Sequence, residues 1–172
     1  RVGIDPPTVL LIGYSGANNT GAEALLQTDI EDLRAVLGDD ALLTVPAAKD
    51  PENLRRYLHE GPSLRIVAMP STLLRAPRRP ARDHDRAGLG YFLWATRCAD
   101  REGKPCLAYA VDAGQLRPRN QRLVRRWAST TDLIVPRSEA AAERLRGFGV
   151  TAPIEWTADN AFNFEPQPAD EE

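Results

Sequence analysis

An α/β domain with a mostly parallel sheet is the fold class predicted by this sequence, on three observations. Short apolar runs alternate along the chain with longer stretches whose apolar residues recur at helical spacing. The short runs are apolar throughout rather than at every second position, the pattern of strands covered on both faces. Each run gives way to a glycine, a proline or a polar residue before the next helix starts. Repeated βα units joined by right-handed crossovers build a Rossmann-like three-layer sandwich.

The elements follow in order. Thr8–Gly13 reads as a buried strand and Tyr14–Asn19 as a polar loop. Gly21–Leu37 reads as a helix with Leu25, Leu26, Ile30, Leu33 and Leu37 on one face, stopped by Gly38-Asp39-Asp40. Ala41–Val45 is a strand, Pro51–Leu58 a helix with Asp50 as N-cap, and Leu64–Met69 a strand. Pro70–Arg86 holds three prolines, five arginines and little apolar content, so a long mobile loop is expected. Helix Gly88–Asp100, strand Pro105–Val111, helix Arg119–Ala128 and strand Leu133–Pro136 come next. Helix Ser138–Arg146 is capped by Ser138 and ended by Gly147, and Ile154–Thr157 is a last strand. The expectation is one sheet of about six strands. Residues 1–172 read as a single domain with a linker-like, acidic tail at 165–172, and the start at Arg1 suggests an excerpt of a longer protein.

Composition narrows the function classes. A chain of 172 residues, 42% hydrophobic and 27% charged, can bury a full core. The 22 basic and 24 acidic residues leave a net charge of -2, which argues against bulk electrostatic binding to nucleic acid or membrane. Lys49 and Lys104 are the only lysines; the arginine excess reads mostly as a compositional preference. No apolar stretch is long enough to span a bilayer, so no transmembrane segment is expected. Cys98 and Cys106 fall in helix and strand, as small reduced hydrophobes of a cytoplasmic protein would. No metal-ligand cluster accompanies them.

Chemistry is expected where parallel strands end, since ligands of open α/β sheets bind at that edge. The loop from Gly13 through Gly16, Asn19 and Gly21 to Glu23 is either a tight turn or an anion cradle at a helix N-terminus. It matches neither GxGxxG nor the lysine-bearing P-loop. Arg137 follows a strand and would point over the edge at a bound anion, or be a surface arginine beside an N-capping Ser138. Asp159 would bind a sugar hydroxyl, orient a catalytic group, or cap a turn. His84, between Asp83 and Asp85, is a solvated loop histidine or a general acid–base, and His59 is solvated. Trp94, Trp127 and Trp156 read as core residues.

In order and spacing these segments resemble the polysaccharide pyruvyl transferase family over Thr8 to Phe162. The first loop matches that family's pattern through Gly13, Gly16, Asn19, Gly21, Glu23 and Ala24. Gly103-Lys104-Pro105 with Gly114, then Arg137, Ser138, Leu145, Gly149 and Val150, then Ala158, Asp159, Ala161 and Phe162 match its later segments. The chain departs from it at Ala22, where an acidic residue is usual, and at Met69-Pro70-Ser71, where the family has a glycine-rich run. The resemblance implies one half of a GT-B-like architecture, the N-terminal domain of a two-domain enzyme whose C-terminal domain is missing here. It implies pyruvyl transfer from phosphoenolpyruvate, a donor substrate rather than a cofactor, to a hydroxyl pair of a saccharide or glycan acceptor. Arg137 and Asp159 would be the catalytic pair; Gly13, Gly16, Asn19, Gly21, Glu23, Gly114 and Ser138 would contact substrate. No metal is implied. A nucleotide-sugar glycosyltransferase and a non-catalytic domain of the same fold are the alternatives.

Overall fold

The computed structural model describes residues 5–13, 15–16, 19–47, 49–69 and 85–164. Two compact units emerge, Arg1–Ser71 with Asn160–Glu172, and Thr72–Asp159.

The first unit is built on β1 (Thr8–Leu10), α1 (Thr20–Leu37), β2 (Leu42–Ala47), α2 (Pro51–Arg55) and β3 (Leu64–Ala68). The strands pair in parallel in the order β1-β2-β3, with Thr8 beside Leu42 and Leu43 beside Leu64. The central strand β2 buries Leu43, Val45 and Ala47, and α1 lays Leu26 and Ile30 into the same cluster with Leu54, Leu64 and Ile66. Asn19 caps α1 and Asp50 caps α2, with Pro51 at the first helical position, as their residue types dictate. Helix α2 is shorter than the Pro51–Leu58 expected. Tyr57 and Leu58 instead both donate their backbone N–H to the Leu54 carbonyl, and Leu58 still reaches the core. Strand β1 is not buried as expected: it is an outer strand of its sheet, and Leu10 is 57% exposed. A one-turn 3-10 helix, Asn160–Asn163, packs on α1.

The second unit holds α3 (Asp85–Arg101), β4 (Leu107–Val111), α4 (Pro118–Ala128), β5 (Leu133–Pro136) and α5 (Glu139–Gly147). Strands β4 and β5 are parallel, and Leu93, Val124, Ile134, Ala141, Leu145 and Val150 form the core. A register shift interrupts β4 at Ala110, whose φ of 51° lies in the left-handed region. The strand expected at Ile154–Thr157 is reduced to a single parallel bridge between Ile134 and Ile154. Ile134 N donates to the Pro153 carbonyl, and Glu155 and Thr157 donate to the carbonyls of Ile134 and Pro136, but Pro136 has no N–H to offer the Glu155 carbonyl. The segment therefore runs along β5 without the regular ladder of a strand.

Both units are α/β with parallel pairing, the Rossmann-like class predicted. The single sheet of six strands is corrected: among the described residues five strands form one sheet of three and one of two. Residues 70–84 of the expected loop, with His84, lie outside the described residues; Asp85 and Arg86 already belong to α3. Cys98 and Cys106 are unpaired and half-buried, Cys106 just ahead of β4 with its N–H on Asp132 Oδ2 at 2.7 Å. Among the described residues no helix is long and apolar enough to cross a membrane.

Candidate functional site

In the second unit three chain segments end at one sheet edge. Strand β4 hands over to Asp112, β5 hands over to Arg137, and the segment along β5 arrives at Asp159. Arg137 N donates to Val111 O at 3.0 Å, which fixes the first two ends side by side. From there the Arg137 guanidinium bridges two carboxylates, Nη2 to Asp112 Oδ2 at 2.8 Å and Nη1 to Asp159 Oδ2 at 3.3 Å. The side chains are 39%, 44% and 25% exposed, so the triplet is open to solvent on one side. The hydrogen bond from Arg137 holds the Asp112 carboxyl below its usual range, and the same bond raises the Arg137 guanidinium further. Arg144 adds a second positive charge near Asp112 and donates to Ala113 O at 2.8 Å.

The carboxylate oxygens of the cluster are acceptors that suit hydroxyl hydrogens. The cluster can also offer an anion the guanidinium donors not spent on Asp112 and Asp159. Two carboxylates flanking one arginine repel an incoming dianion, so donor binding through Arg137 requires exchange of at least one pair. Asp112 went unnoticed in the sequence, although it stands to β4 as Arg137 stands to β5, the first polar residue after an apolar run. Ser138 spends its hydroxyl as the N-cap of α5, accepting from Ala141 N at 3.2 Å. Gly114 is exposed, and an added Cβ there would meet nothing.

The glycine loop belongs to the first unit. Gly16 has a φ of 75°, and a Cβ there would come within 3.0 Å of Asp50 O and 3.2 Å of Ala47 Cβ. Its carbonyl accepts from Asn53 Nδ2 at 3.3 Å. Asn19 Oδ1 takes the amides of Gly21 and Ala22, the first donors an anion would use. An added Cβ at Gly13 would sit 3.3 Å from Ser15 Oγ, and one at Gly21 would make only ordinary contact. Glu23 Oε1 and Tyr57 Oη are buried without a hydrogen-bond partner, and burial together with the Glu23 charge pushes the Tyr57 hydroxyl far up. His59 is exposed. Among the described residues no group of three His, Cys, Asp or Glu is placed to hold a metal.

The fold and the ion-paired edge define an α/β protein with a polar, charge-balanced rim at its strand ends. Comparison with known proteins gives no matching family model, no matching curated protein and no matching solved structure.

Proposed function

We propose that this chain supplies one wall of a transferase cleft of the pyruvyl-transferase type. Phosphoenolpyruvate would be the donor, a saccharide hydroxyl pair the acceptor, and a second domain the opposite wall. The observation that carries this reading is the Arg137–Asp112–Asp159 triplet at the strand ends. In it the carboxylates of Asp112 and Asp159 receive acceptor hydroxyls, and Arg137 exchanges one carboxylate for that of the donor. The half-buried, unpaired Cys98 and Cys106 suit the reducing cytoplasm.

A second reading is favoured by the same distances. With both guanidinium arms already engaged, Arg137 would be a clamp that pins three chain ends in a non-catalytic domain. Titration of the chain with phosphoenolpyruvate and, separately, UDP-glucose, followed by two-dimensional NMR, separates the readings. The transferase reading expects phosphoenolpyruvate to shift resonances of residues 111–114, 137–138 and 158–159, and the shifts to vanish in Arg137→Ala. It is wrong if the variant binds phosphoenolpyruvate as the parent does, or if UDP-glucose alone binds.

A further inference from the structure

Helix α4 carries a charge pattern that the strand-end cluster does not use. Between Asp112 and Asp132 the chain has five arginines and no acidic residue. Three of them, Arg122, Arg125 and Arg126, line an open cavity of about 450 Å³ with Ser129, Gly149 and Thr151. Among the described residues no ion pair engages these three arginines, and no acidic residue lines the cavity. Helix α4 starts just after β4 and ends just before β5. The cavity therefore lies toward the amino ends of the strands, opposite the edge that holds Arg137.

The cavity is shaped by contacts that hold its cations in place. Gly149 has a φ of 82°, and a Cβ there would meet Arg125 Cδ at 3.3 Å, so this glycine lets the loop close on the arginine stem. Ser129 Oγ donates to Arg125 O at 2.5 Å and accepts from Thr151 N at 3.0 Å, tying the helix end to the same loop. The Arg126 guanidinium stands 4.8 Å from the centre of the Trp127 ring. The carbonyls of the last helical turn balance part of the charge on Arg125 and Arg126, but that field fades within a turn and does not account for Arg122. Three arginines line one concavity with Thr151 exposed on its rim, a concentration of positive charge and hydrogen-bond donors of the kind a phosphate group requires.

We infer that the cavity at the carboxyl end of α4 is a binding site for a phosphate-bearing ligand, held by Arg122, Arg125 and Arg126. The site is separate from the proposed transferase cleft, and its failure leaves that reading untouched. Two sources supply this chemistry, a soluble phosphate ester and a phospholipid headgroup. Calorimetric titration with inorganic pyrophosphate probes the first, and flotation with phosphatidylglycerol against phosphatidylcholine vesicles probes the second. The variants are Arg122→Ala, Arg125→Met, which keeps the aliphatic stem over Gly149, and Arg119→Ala, which removes a charge from the same helix outside the cavity. Circular dichroism confirms that each variant is folded.

The expected result is binding of one probe that weakens about tenfold in Arg122→Ala and in Arg125→Met, the effect of losing one charge-assisted hydrogen bond. Arg119→Ala should change it less than about twofold, the screened effect of a nearby exposed charge. Pyrophosphate binding with this pattern identifies a soluble ligand. Selective phosphatidylglycerol binding with this pattern identifies a headgroup. Binding of neither probe, or an Arg119→Ala loss equal to that of Arg122→Ala, overturns the site.

Discussion

Asp29 sits half-buried on α1 and accepts a 2.6 Å hydrogen bond from Asn160 Nδ2, while Asn160 Oδ1 is buried without a partner. Burial pushes the Asp29 carboxyl up to about 6, more than the Asn160 bond lowers it, with the Asp32 charge adding to the rise. The folded chain thus holds this proton more tightly than the unfolded chain. That contribution to stability is complete below the unfolded value of 3.8 and is lost as pH climbs through about 6. Asp29→Asn removes the buried charge and brings a donor to the unpartnered Asn160 oxygen. The variant should be more stable at pH 7.5 by about 1–2 kcal/mol, allowing for partial exposure, and lose that advantage near pH 4. Paired urea titrations at the two pH values check it. Asp112 has the opposite sign. Its carboxyl is lowered by Arg137, so its contribution is present above the unfolded value of 3.8 and fades as pH falls further. Because this pair is exposed, Arg137→Ala should cost under about 1 kcal/mol of stability at pH 7, measured as a shift in urea midpoint.

At the scale of elements, glycines that look alike in sequence part company. Gly16→Ala must place a Cβ at positive φ against Asp50 O and should cost about 1–3 kcal/mol. Gly21→Ala, early in α1 with only ordinary contact around its Cβ, should be neutral or stabilising by up to about 1 kcal/mol. Thermal denaturation of the two variants tests the contrast. The bulge in β4 gives a second test. Valine suits a strand better than alanine, yet Ala110→Val at a φ of 51° should destabilise by about 1–3 kcal/mol. Several helix ends were legible because capping is local chemistry: Asp50, Pro51 and Ser138 start helices and Gly38 stops one by acting on their own neighbours, whereas Asn19 was read as a loop residue and not as the cap of α1. The exposure of Leu10 was not legible, since an apolar run records what can be buried and not whether a neighbouring strand covers it. The loss of a last strand was half-legible in Pro136, which has no N–H for the ladder bond to the Glu155 carbonyl. Arg137 and Asp159 were singled out by their place after apolar runs, but the bridging of Asp112 and Asp159 by Arg137 depends on the lateral order of strand ends, which spacing along the chain does not encode.

For the whole molecule, the division into two units has a spectroscopic handle. Each carries its own buried cluster, and Trp94, Trp127 and Trp156 all belong to the second. Tryptophan fluorescence follows that unit, whereas far-ultraviolet circular dichroism follows the helices of both. Gly16→Ala should therefore move the dichroism transition to lower urea while the fluorescence midpoint stays within error. Coincident shifts by both probes would mean that the two clusters unfold as one cooperative body.

The arginine run on α4 also makes the net charge a poor guide to how the chain meets a charged surface. Segment 113–131 takes five of the 22 basic residues and none of the 24 acidic ones, leaving 17 against 24 elsewhere. Segment 113–131 is thus a local excess of positive charge in a chain of small net charge. At pH 7 a cation-exchange resin should retain it despite the excess of negative charge, presenting α4 to the sulfonates. The retention should collapse over a modest rise in salt, as the screening length shrinks from about 30 Å at 0.01 M to about 10 Å at 0.1 M. Immobilised on an anionic support, the molecules would share one orientation, with the face bearing α4 turned to the support.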